Sequence, residues 1–346
     1  MKRYILKRSL QSFVTICLVI FVVFMMLRMM PTSGYFTRDD YLNMTEEMRM
    51  VYLKNLGVLD PPLVQFKHFL SSLLSGDLGR SVTVYPKLAI TTILKEKVGF
   101  SAAFGFASEI ISITIGMSLG IAMARNKDKL VDNLGTGYAV IVRSIPSLIY
   151  LFLIQVWVSK IFGLPMLFYK NRPESWILPA ISLSLSSIAW YAIWLRRFMV
   201  DEENREYIKF AKVKGFSQKY IMKHHVLRNV LVPIAIGLPS DFLLIISGSL
   251  IIENLYSIPG MGGLLINAIK QMDNNVVQIL VLIYSSLSVI GVFLGDLLVV
   301  LVDPRIRLSE SDIKLTDEMF ENLQYDDKTS EEGGYSNYSL YLLIDI

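Results

Sequence analysis

Six long apolar stretches are spaced along the chain, at about residues 9–30, 98–124, 134–159, 177–195, 233–252 and 276–302. Roughly 20 predominantly apolar residues are needed for a helix to cross the hydrocarbon core of a bilayer. Each stretch reaches or approaches that length. The pattern therefore predicts an all-α, polytopic membrane protein with six transmembrane helices.

The first apolar stretch follows four basic residues within 1–8, as in a secretory signal peptide. It continues to about residue 30 and lacks a small-residue cleavage site. We therefore expect residues 1–30 to form a retained N-terminal tail and first transmembrane helix.

The regions between and after the stretches differ in character. Residues 31–97 are polar, with a break at Asp60–Pro62 and an amphipathic piece at Leu63–Leu74, and they predict a folded extracytoplasmic segment. Residues 98–308 form the predicted five-helix core. Residues 309–346 hold ten acidic residues against two lysines, which predicts a flexible, acidic cytoplasmic tail.

Composition supports a membrane protein over an ordinary soluble domain, because 53% of residues are hydrophobic and only 18% are charged. The net charge of +4 does not indicate nucleic-acid binding, since the basic residues lie beside the apolar stretches. The single cysteine, Cys17, lies within the first stretch, so neither an intrachain disulfide nor a cysteine-based metal site can form.

Lysine and arginine in the loops predict the orientation. Four basic residues precede the first stretch, three lie in 125–133 and nine in 196–232, whereas 253–275 holds only Lys270. Segment 31–97 holds eight, but long loops weigh little in this rule. Both termini are therefore predicted to be cytoplasmic, in a multi-pass protein of the cell membrane.

The most informative loop is 196–232. Helical spacing over 201–213 is interrupted at Gly215, where a backbone turn costs little. A second helix is predicted to begin at Ser217, a suitable N-cap, and to end at Asn229. Pro233 is expected at the mouth of the next span, where its missing N–H does little harm.

This loop resembles the signature of binding-protein-dependent ABC importer permeases, in particular the B-type subunit of the peptide and nickel group. The matching residues are Tyr207-Ile208, Ala211, Lys214-Gly215, His225, Asn229 and Val232-Pro233. Lys209 stands where the general signature has Glu. The resemblance extends to the N-terminus, to Leu56–Ser81, to Glu253–Gly263 and to Asp303–Arg307.

The resemblance implies a type I ABC importer fold in which the loop is a coupling helix that docks on a separate ATPase. It places Ala211 and Gly215 at the bend and Lys214, Phe216 and Ser217 near the ATPase. It further implies a second homologous permease, two ATPase subunits and an extracytoplasmic substrate-binding protein as partners, beside membrane lipid. The implied cargo is an oligopeptide or dipeptide, and nickel or a metal chelate is the alternative.

No Walker motif occurs in the sequence, so ATP and Mg²⁺ are expected on the partner ATPases and no cofactor on this chain. His224 and His225 point in different directions on a helix and lack further ligands, so no metal site is predicted. Pro259–Gly263 is interpreted as a turn. The three histidines lie far from any nucleophile arrangement, so we expect a transport subunit and not an enzyme.

Ionisable residues inside the spans are costly and indicate function or pairing. Glu109, Arg143 and Asp241 are candidates for the translocation pathway, with a structural ion pair as the alternative for each. Asp296, near the end of its stretch, is interpreted as structural or interfacial, because charges near helix ends can reach the membrane interface. Two other protein classes stay open: a self-sufficient secondary transporter, which would need its own ion site, and a membrane-anchored receptor or scaffold.

Overall fold

A computed structural model describes residues 2–302 of the chain, and the side chains of residues 5–37 and 39–298. This part is built from helices, with one isolated bridge between Arg80 and Ala89, and it confirms the predicted all-α class. The acidic tail 309–346 and the stretch Asp303–Arg307 lie outside the described residues.

Fourteen α-helices occur in the described part of the chain. In chain order they are α1 Lys2–Leu27, α2 Arg38–Asn43, α3 Glu46–Asn55, α4 Pro62–Leu74, α5 Ile90–Arg125, α6 Leu130–Ser144, α7 Ser147–Phe162, α8 Ile177–Glu203, α9 Glu206–Val213, α10 Gln218–Ile221, α11 Leu227–Ser247, α12 Leu250–Leu255, α13 Met261–Lys270 and α14 Asn274–Val302. Single 3₁₀ turns lie at Thr32–Tyr35 and Pro173–Trp176, and a π-turn at Met222–Val226 joins α10 to α11.

Five helical segments are long and apolar enough to cross a membrane, and there are six if the bent pair α6–α7 counts as one span. The direction of the chain bends by 109° between α6 and α7. The predicted span over 134–159 is therefore made of two half-helices and not of one continuous helix. Its break follows from Pro146, because a proline forces the preceding residue out of the helical region, and Ile145 is extended with ψ 131°.

The other predicted stretches agree in position but not in length. α5 begins at Ile90 instead of 98, so residues assigned to the polar segment form its first two turns. α8 continues to Glu203, beyond 195. The stretch 233–252 is interrupted at Gly248, whose φ of 73° ends α11 before α12 begins.

Contacts between the helices show their relative directions. α1 runs opposite to α14, because Arg8 contacts Asp296 and Arg28 contacts Gln278, and α11 also runs opposite to α14, because Gly291 contacts Ser240 and Gly295 contacts Ile236. α5 and α8 run parallel, because Gly116 contacts Ile188 and Gly120 contacts Ala192. Residues 204–226, which we call the connecting segment, lie at one end of the bundle. Residues 31–89, the polar segment, lie at the other.

The bent pair passes from one end to the other. Near its start, Asp132 forms an ion pair with Arg196, and the Arg196 Nη2 to Asp132 Oδ2 distance is 2.6 Å. Tyr138 donates to the Leu185 carbonyl in the middle of α8, at 2.7 Å. Near the end of the pair, Gln155 donates to the Leu255 carbonyl at 2.9 Å. These contacts favour a single crossing made of two half-helices.

α5 and α8 pack closely because glycines line their contact. A Cβ added at Gly116 would lie 2.9 Å from the Ile188 carbonyl oxygen, and one at Gly120 would lie 2.7 Å from that of Ala192. Real Cβ atoms do not approach so near, so these two positions need glycine for this distance between helices.

The polar segment is held to the start of α14 by three consecutive polar side chains. The Asp273 carboxylate, fully buried, accepts from the Ser81 hydroxyl at 2.6 Å and from the backbone N–H groups of residues 82–84 at 2.9–3.1 Å. Asn274 donates to the Pro31 carbonyl and Asn275 to that of Arg80. These hydrogen bonds fix the position of the polar segment relative to α14.

Pro259–Gly263, interpreted as a turn, is a turn only up to Gly260, because Met261 begins α13. The start of α13 and the residues before it enclose a carboxylate of the chain itself. Glu253 is 3% exposed, and it accepts from the Gly263 N–H at 3.0 Å and from the Ser101 hydroxyl at 2.7 Å. Ser101 also accepts from the Met261 N–H. A Cβ at position 260 would lie 2.4 Å from the Glu253 carboxyl carbon, so any residue larger than glycine there would have to displace this buried carboxyl group.

Candidate functional site

The connecting segment forms the turn that the sequence predicts. α9 ends at Val213, and Gly215 adopts φ 82°, a left-handed conformation that favours glycine. The Phe216 N–H then donates to the Ala211 carbonyl at 3.3 Å. Ser217 caps α10, since its hydroxyl accepts from the Tyr220 N–H at 3.3 Å. The predicted bend and N-cap are both present.

The boundaries of the two helices differ from the prediction. The expected single helix over 201–213 is interrupted between Glu203, where α8 ends, and Glu206, where α9 begins. The expected helix from Ser217 to Asn229 is instead a short α-helix and a π-turn that continue into α11.

Pro233 is consequently inside a helix and not at its mouth. A proline there supplies no N–H to the carbonyl four residues earlier, which is that of Asn229. The expectation that Pro233 lies at the start of the span is wrong, because α10, the π-turn and α11 form one continuous helical segment that begins well before it.

The base of the connecting segment is buried. Ile208 is 0% and Ala211 is 7% exposed, and both belong to an apolar cluster with Leu195 and Met199 of α8 and with Val226. A side chain larger than alanine at 211 would have to displace this packing. Ala211 therefore supports the bend from within the protein.

The tip of the segment is exposed, and it includes the other four predicted residues, Lys214, Gly215, Phe216 and Ser217. Phe216 is 46% exposed, and the flanking Phe210 and Val213 are 60% and 84% exposed. The Lys214 ammonium lies over the Phe210 ring, 4.6 Å from its centroid. The tip thus presents apolar side chains and a cation together.

A group of packed aromatic and imidazole rings supports the tip. Phe216 stacks on Tyr220 with centroids 5.1 Å apart, and Tyr220 stacks on His224 at 4.3 Å. His225, one of the signature residues, lies edge-on to Tyr220 at 5.9 Å. Stacked rings resist reorientation, so the exposed Phe216 is held by its neighbours.

A polar link joins α8, α9 and α11 beneath the tip. The Asn229 Nδ2 group donates to Glu202 Oε1 and to the Tyr207 hydroxyl, both at 2.7 Å, and the Tyr207 hydroxyl in turn donates to Glu202. Partial burial and the Glu202 carboxylate raise the pKa of Tyr207 to about 12, so its hydroxyl keeps its proton. Sequence reasoning identified Tyr207 and Asn229 by resemblance but missed Glu202.

Two of the three predicted pathway residues meet in the middle of the bundle. The Tyr191 hydroxyl of α8 lies 2.5 Å from Glu109 of α5 and 3.3 Å from Asp241 of α11. Glu109 is 8% and Tyr191 is 2% exposed. Neither carboxyl group forms an ion pair among the described residues. Sequence reasoning missed Tyr191, for which a tyrosine within an apolar stretch gives no distinguishing signal.

Arg143 lies apart from this group. It is exposed in the last turn of α6, and within the described residues it pairs with neither carboxyl group. Asp296, interpreted as structural, does pair with Arg8 of α1 at 2.5 Å. The expected ion pair is thus formed by Asp296 and not by Glu109 or Asp241.

A cavity of about 160 Å³ adjoins Glu109. Its wall includes Ser101, Ser108, Ser187 and Glu253, together with apolar residues of α8 and α11. Hydroxyl and carboxyl groups line this cavity within the membrane-spanning bundle, so it offers polar contacts there. No group of three or more His, Cys, Asp or Glu side chains that could hold a metal ion occurs in the part of the chain that the structure describes.

Two family models match the sequence. Residues 116–308 match the binding-protein-dependent transport system inner membrane component, and residues 1–94 match the N-terminal region of the membrane component of such systems. Together they cover most of the chain.

Curated relatives agree with these matches. The chain is 33% identical over 213 residues to the oligopeptide transport system permease protein AmiC of Streptococcus pneumoniae, covering 61% of this chain but only 43% of AmiC. It is 30% identical to the probable peptide ABC transporter permease y4tP of Sinorhizobium fredii (88% of this chain, 99% of y4tP) and 30% identical to the dipeptide permease DppB of Bacillus subtilis (89% and 99%). The match thus spans less than half of AmiC and nearly all of the other two.

Proposed function

Because the chain belongs to the family of binding-protein-dependent transport system inner membrane components, we propose that it is a permease subunit of an ATP-driven importer of peptides. The family and the long apolar helices make it a multi-pass membrane protein and a transport component. The names of AmiC, y4tP and DppB support peptides as the cargo.

The observation that carries the proposal is the rigidly supported, exposed tip of the connecting segment. An apolar side chain at 46% exposure, Phe216, is held by stacking on a segment whose base is buried against α8. Exposed apolar groups beside a cation suit a protein partner. We assign the tip to docking on an ATPase, with Lys214, Phe216 and Ser217 in contact and with Ala211 and Gly215 shaping the bend.

ATP-driven movement of that partner would act on the spans directly. The connecting segment continues into α11 without a loop and is tied to α8 through Glu202 and Asn229. A displacement of the tip would therefore move α8 and α11, the two helices that supply Tyr191 and Asp241. This is the geometry that alternating access requires.

The remaining partners and the orientation follow the same proposal. Two ATPase subunits would carry the ATP and Mg²⁺, so this chain binds no cofactor. A second homologous permease and an extracytoplasmic binding protein would complete the assembly, and cargo would pass Glu109 and Asp241 in a membrane-embedded pathway. Basic residues concentrate at the end of the bundle that holds the connecting segment. In a protein of the cell membrane this charge distribution favours a cytoplasmic position for that end and for both termini.

Gly215 gives the sharpest test of docking. A Cβ there meets no atom within 4 Å, so only the left-handed φ of 82° opposes substitution. Such a conformation costs an L-residue about 1–2 kcal/mol, more for a β-branched one, and asparagine tolerates it best. Gly215→Val should leave membrane insertion intact and reduce both recovery of the ATPases and peptide uptake. Gly215→Asn is the control and should retain most of both.

The assay is a mild-detergent pull-down of the tagged chain, followed by uptake of a labelled peptide into proteoliposomes that contain the recovered complex. Walker-containing ATPases in the wild-type pull-down, with ATP-dependent uptake, support the proposal. Normal uptake by Gly215→Val removes the role given to the tip. Recovery of the chain without ATPases favours a self-sufficient transporter.

A further inference from the structure

Arg28 is a half-buried cation with only neutral partners. It follows α1 directly, and its guanidinium donates to the Tyr35 hydroxyl and, at 3.2 Å, to Gln278 Oε1. It also lies over the Phe24 ring, 4.4 Å from the centroid. None of the ion pairs among the described residues involves Arg28.

This environment leaves the charge incompletely compensated. The Arg28 Nε is buried without a hydrogen-bond partner. Burial lowers the pKa of Arg28 from its ordinary value, against the opposing effect of Tyr35. A guanidinium removed from water is normally paired with an anion, because hydrogen bonds to neutral groups do not replace its hydration. Among the residues that the structure describes, none therefore supplies a counter-ion to Arg28.

Arg28 lines a cleft of about 940 Å³ between the polar segment and the start of α14. The volume lies within the range of small-molecule sites. The walls carry charges of both signs: Arg28, Lys54, Arg80 and Lys87 on one hand, and Asp40, Asp60 and Asp77 on the other. Such a cleft complements a ligand that carries an anion and a cation at separate points.

We propose that Arg28 anchors a subsite for the terminal carboxylate of a peptide in this cleft. The inference rests on the proposed function, since peptides supply both a carboxylate and an ammonium group. Arginine binds carboxylates through two parallel N–H donors. The three aspartates complement the ammonium group, whereas they would repel the phosphate of an anionic lipid, the other oxyanion available at the end of a membrane span.

The test compares trialanine with trialanine amide as ligands of the full-length chain, purified with its associated subunits into nanodiscs. Affinities are measured for wild type, Arg28→Gln, Arg28→Lys and the control Lys67→Gln, which removes an exposed cation of α4 that does not line the cleft. Hydrogen bonds to charged groups of this kind correspond to about tenfold in affinity or more. The soluble binding protein is washed away before reconstitution, so that its own preference between the two peptides does not enter the comparison.

We expect amidation to weaken binding to wild type and to Lys67→Gln about tenfold, and Arg28→Gln to lose this discrimination. Arg28→Lys should recover part of it. Equal binding of the two peptides by wild type overturns the subsite, and this arm needs no variant to fold. Persistence of the preference in Arg28→Gln overturns it as well.

Two further measurements separate the alternatives. If native mass spectrometry shows an anionic lipid that Arg28→Gln releases, while wild type does not discriminate the peptides, the cation serves a lipid and the proposal falls. ATP-dependent peptide uptake without discrimination refutes the subsite alone. Absence of any peptide uptake refutes the proposed function.

Discussion

The carboxylate of Asp273 should hold the loop of residues 80–88 in place, and its removal should open that loop. One oxygen accepts from the Ser81 hydroxyl and from three consecutive backbone N–H groups, and the other accepts from the Val276 N–H at 3.3 Å. Asp273→Ala would leave these donors without an acceptor. Each hydrogen bond to a charged group contributes about 1.5–3 kcal/mol, and the contributions are not additive.

Because the loop is half-buried, water can satisfy some of the released donors. We therefore expect opening of the loop to become easier by about 3–4 kcal/mol, well below the sum of the separate bonds. When opening is fast relative to cleavage, proteolysis follows the population of the open form. A change of that size raises the cleavage rate about 100- to 1,000-fold.

Trypsin reports on this loop directly, because Arg80 and Lys87 lie within it and are exposed. The purified protein would be digested briefly, and fragments that end at either residue would be quantified by mass spectrometry. Asp77→Ala is the control, since it removes a single exposed hydrogen bond, from the Gly79 N–H at 2.9 Å, and should change cleavage less than about fivefold. Cleavage of Asp273→Ala within twofold of wild type would refute the reasoning.

Three other substitutions test contacts of the same kind. Tyr207→Phe should reduce ATPase recovery in the pull-down without changing membrane insertion, because it removes the hydroxyl that links α8, α9 and α11; unchanged recovery contradicts this. Tyr191→Phe should lower the melting temperature of the purified protein by the equivalent of about 1–3 kcal/mol, whereas Tyr150→Phe, which removes an exposed hydroxyl, should change it little. Gly260→Ala should also lower the melting temperature, because its Cβ overlaps the Glu253 carboxyl group, and a normal melting profile would show that the loop relaxes freely.

The apolar stretches predicted the number and order of the membrane helices, because burial in lipid acts on every residue of a span alike. They did not predict the breaks at Pro146 and Gly248. Those breaks depend on the backbone angles of single residues. A count of apolar side chains over about 20 positions does not detect the conformation of one residue. The early start of α5 was missed for a related reason, since Lys95 and Lys97 are polar but compatible with a helix.

The candidate site shows a similar division. Gly215 and Ser217 were predicted from local chemistry, a permissive turn residue and an N-cap, and both have those conformations. The partners of Glu109 and Asp241 could not be predicted, because Tyr191 reaches them only after three helices have packed. Glu202 and Asp273 were missed because the contacts that join them to other parts of the fold, from Asn229 and from residues 81–84, come from 27 and about 190 residues away in sequence.

The signature residues fall into two groups, those that contact α8 or α11 and those exposed at the tip, and variants of the two groups should be interpreted differently. Ile208 and Ala211 are buried in the base, and Asn229 of α11 is hydrogen-bonded to Glu202 of α8, so changes at these positions alter the contact of α8 with α11 as well as the position of the tip. Lys214 and Phe216 are exposed, and in the described part of the chain they contact only side chains of the connecting segment itself. A tip variant that assembles poorly with the ATPases at normal thermal stability therefore reports on docking, whereas the same defect in a base variant does not.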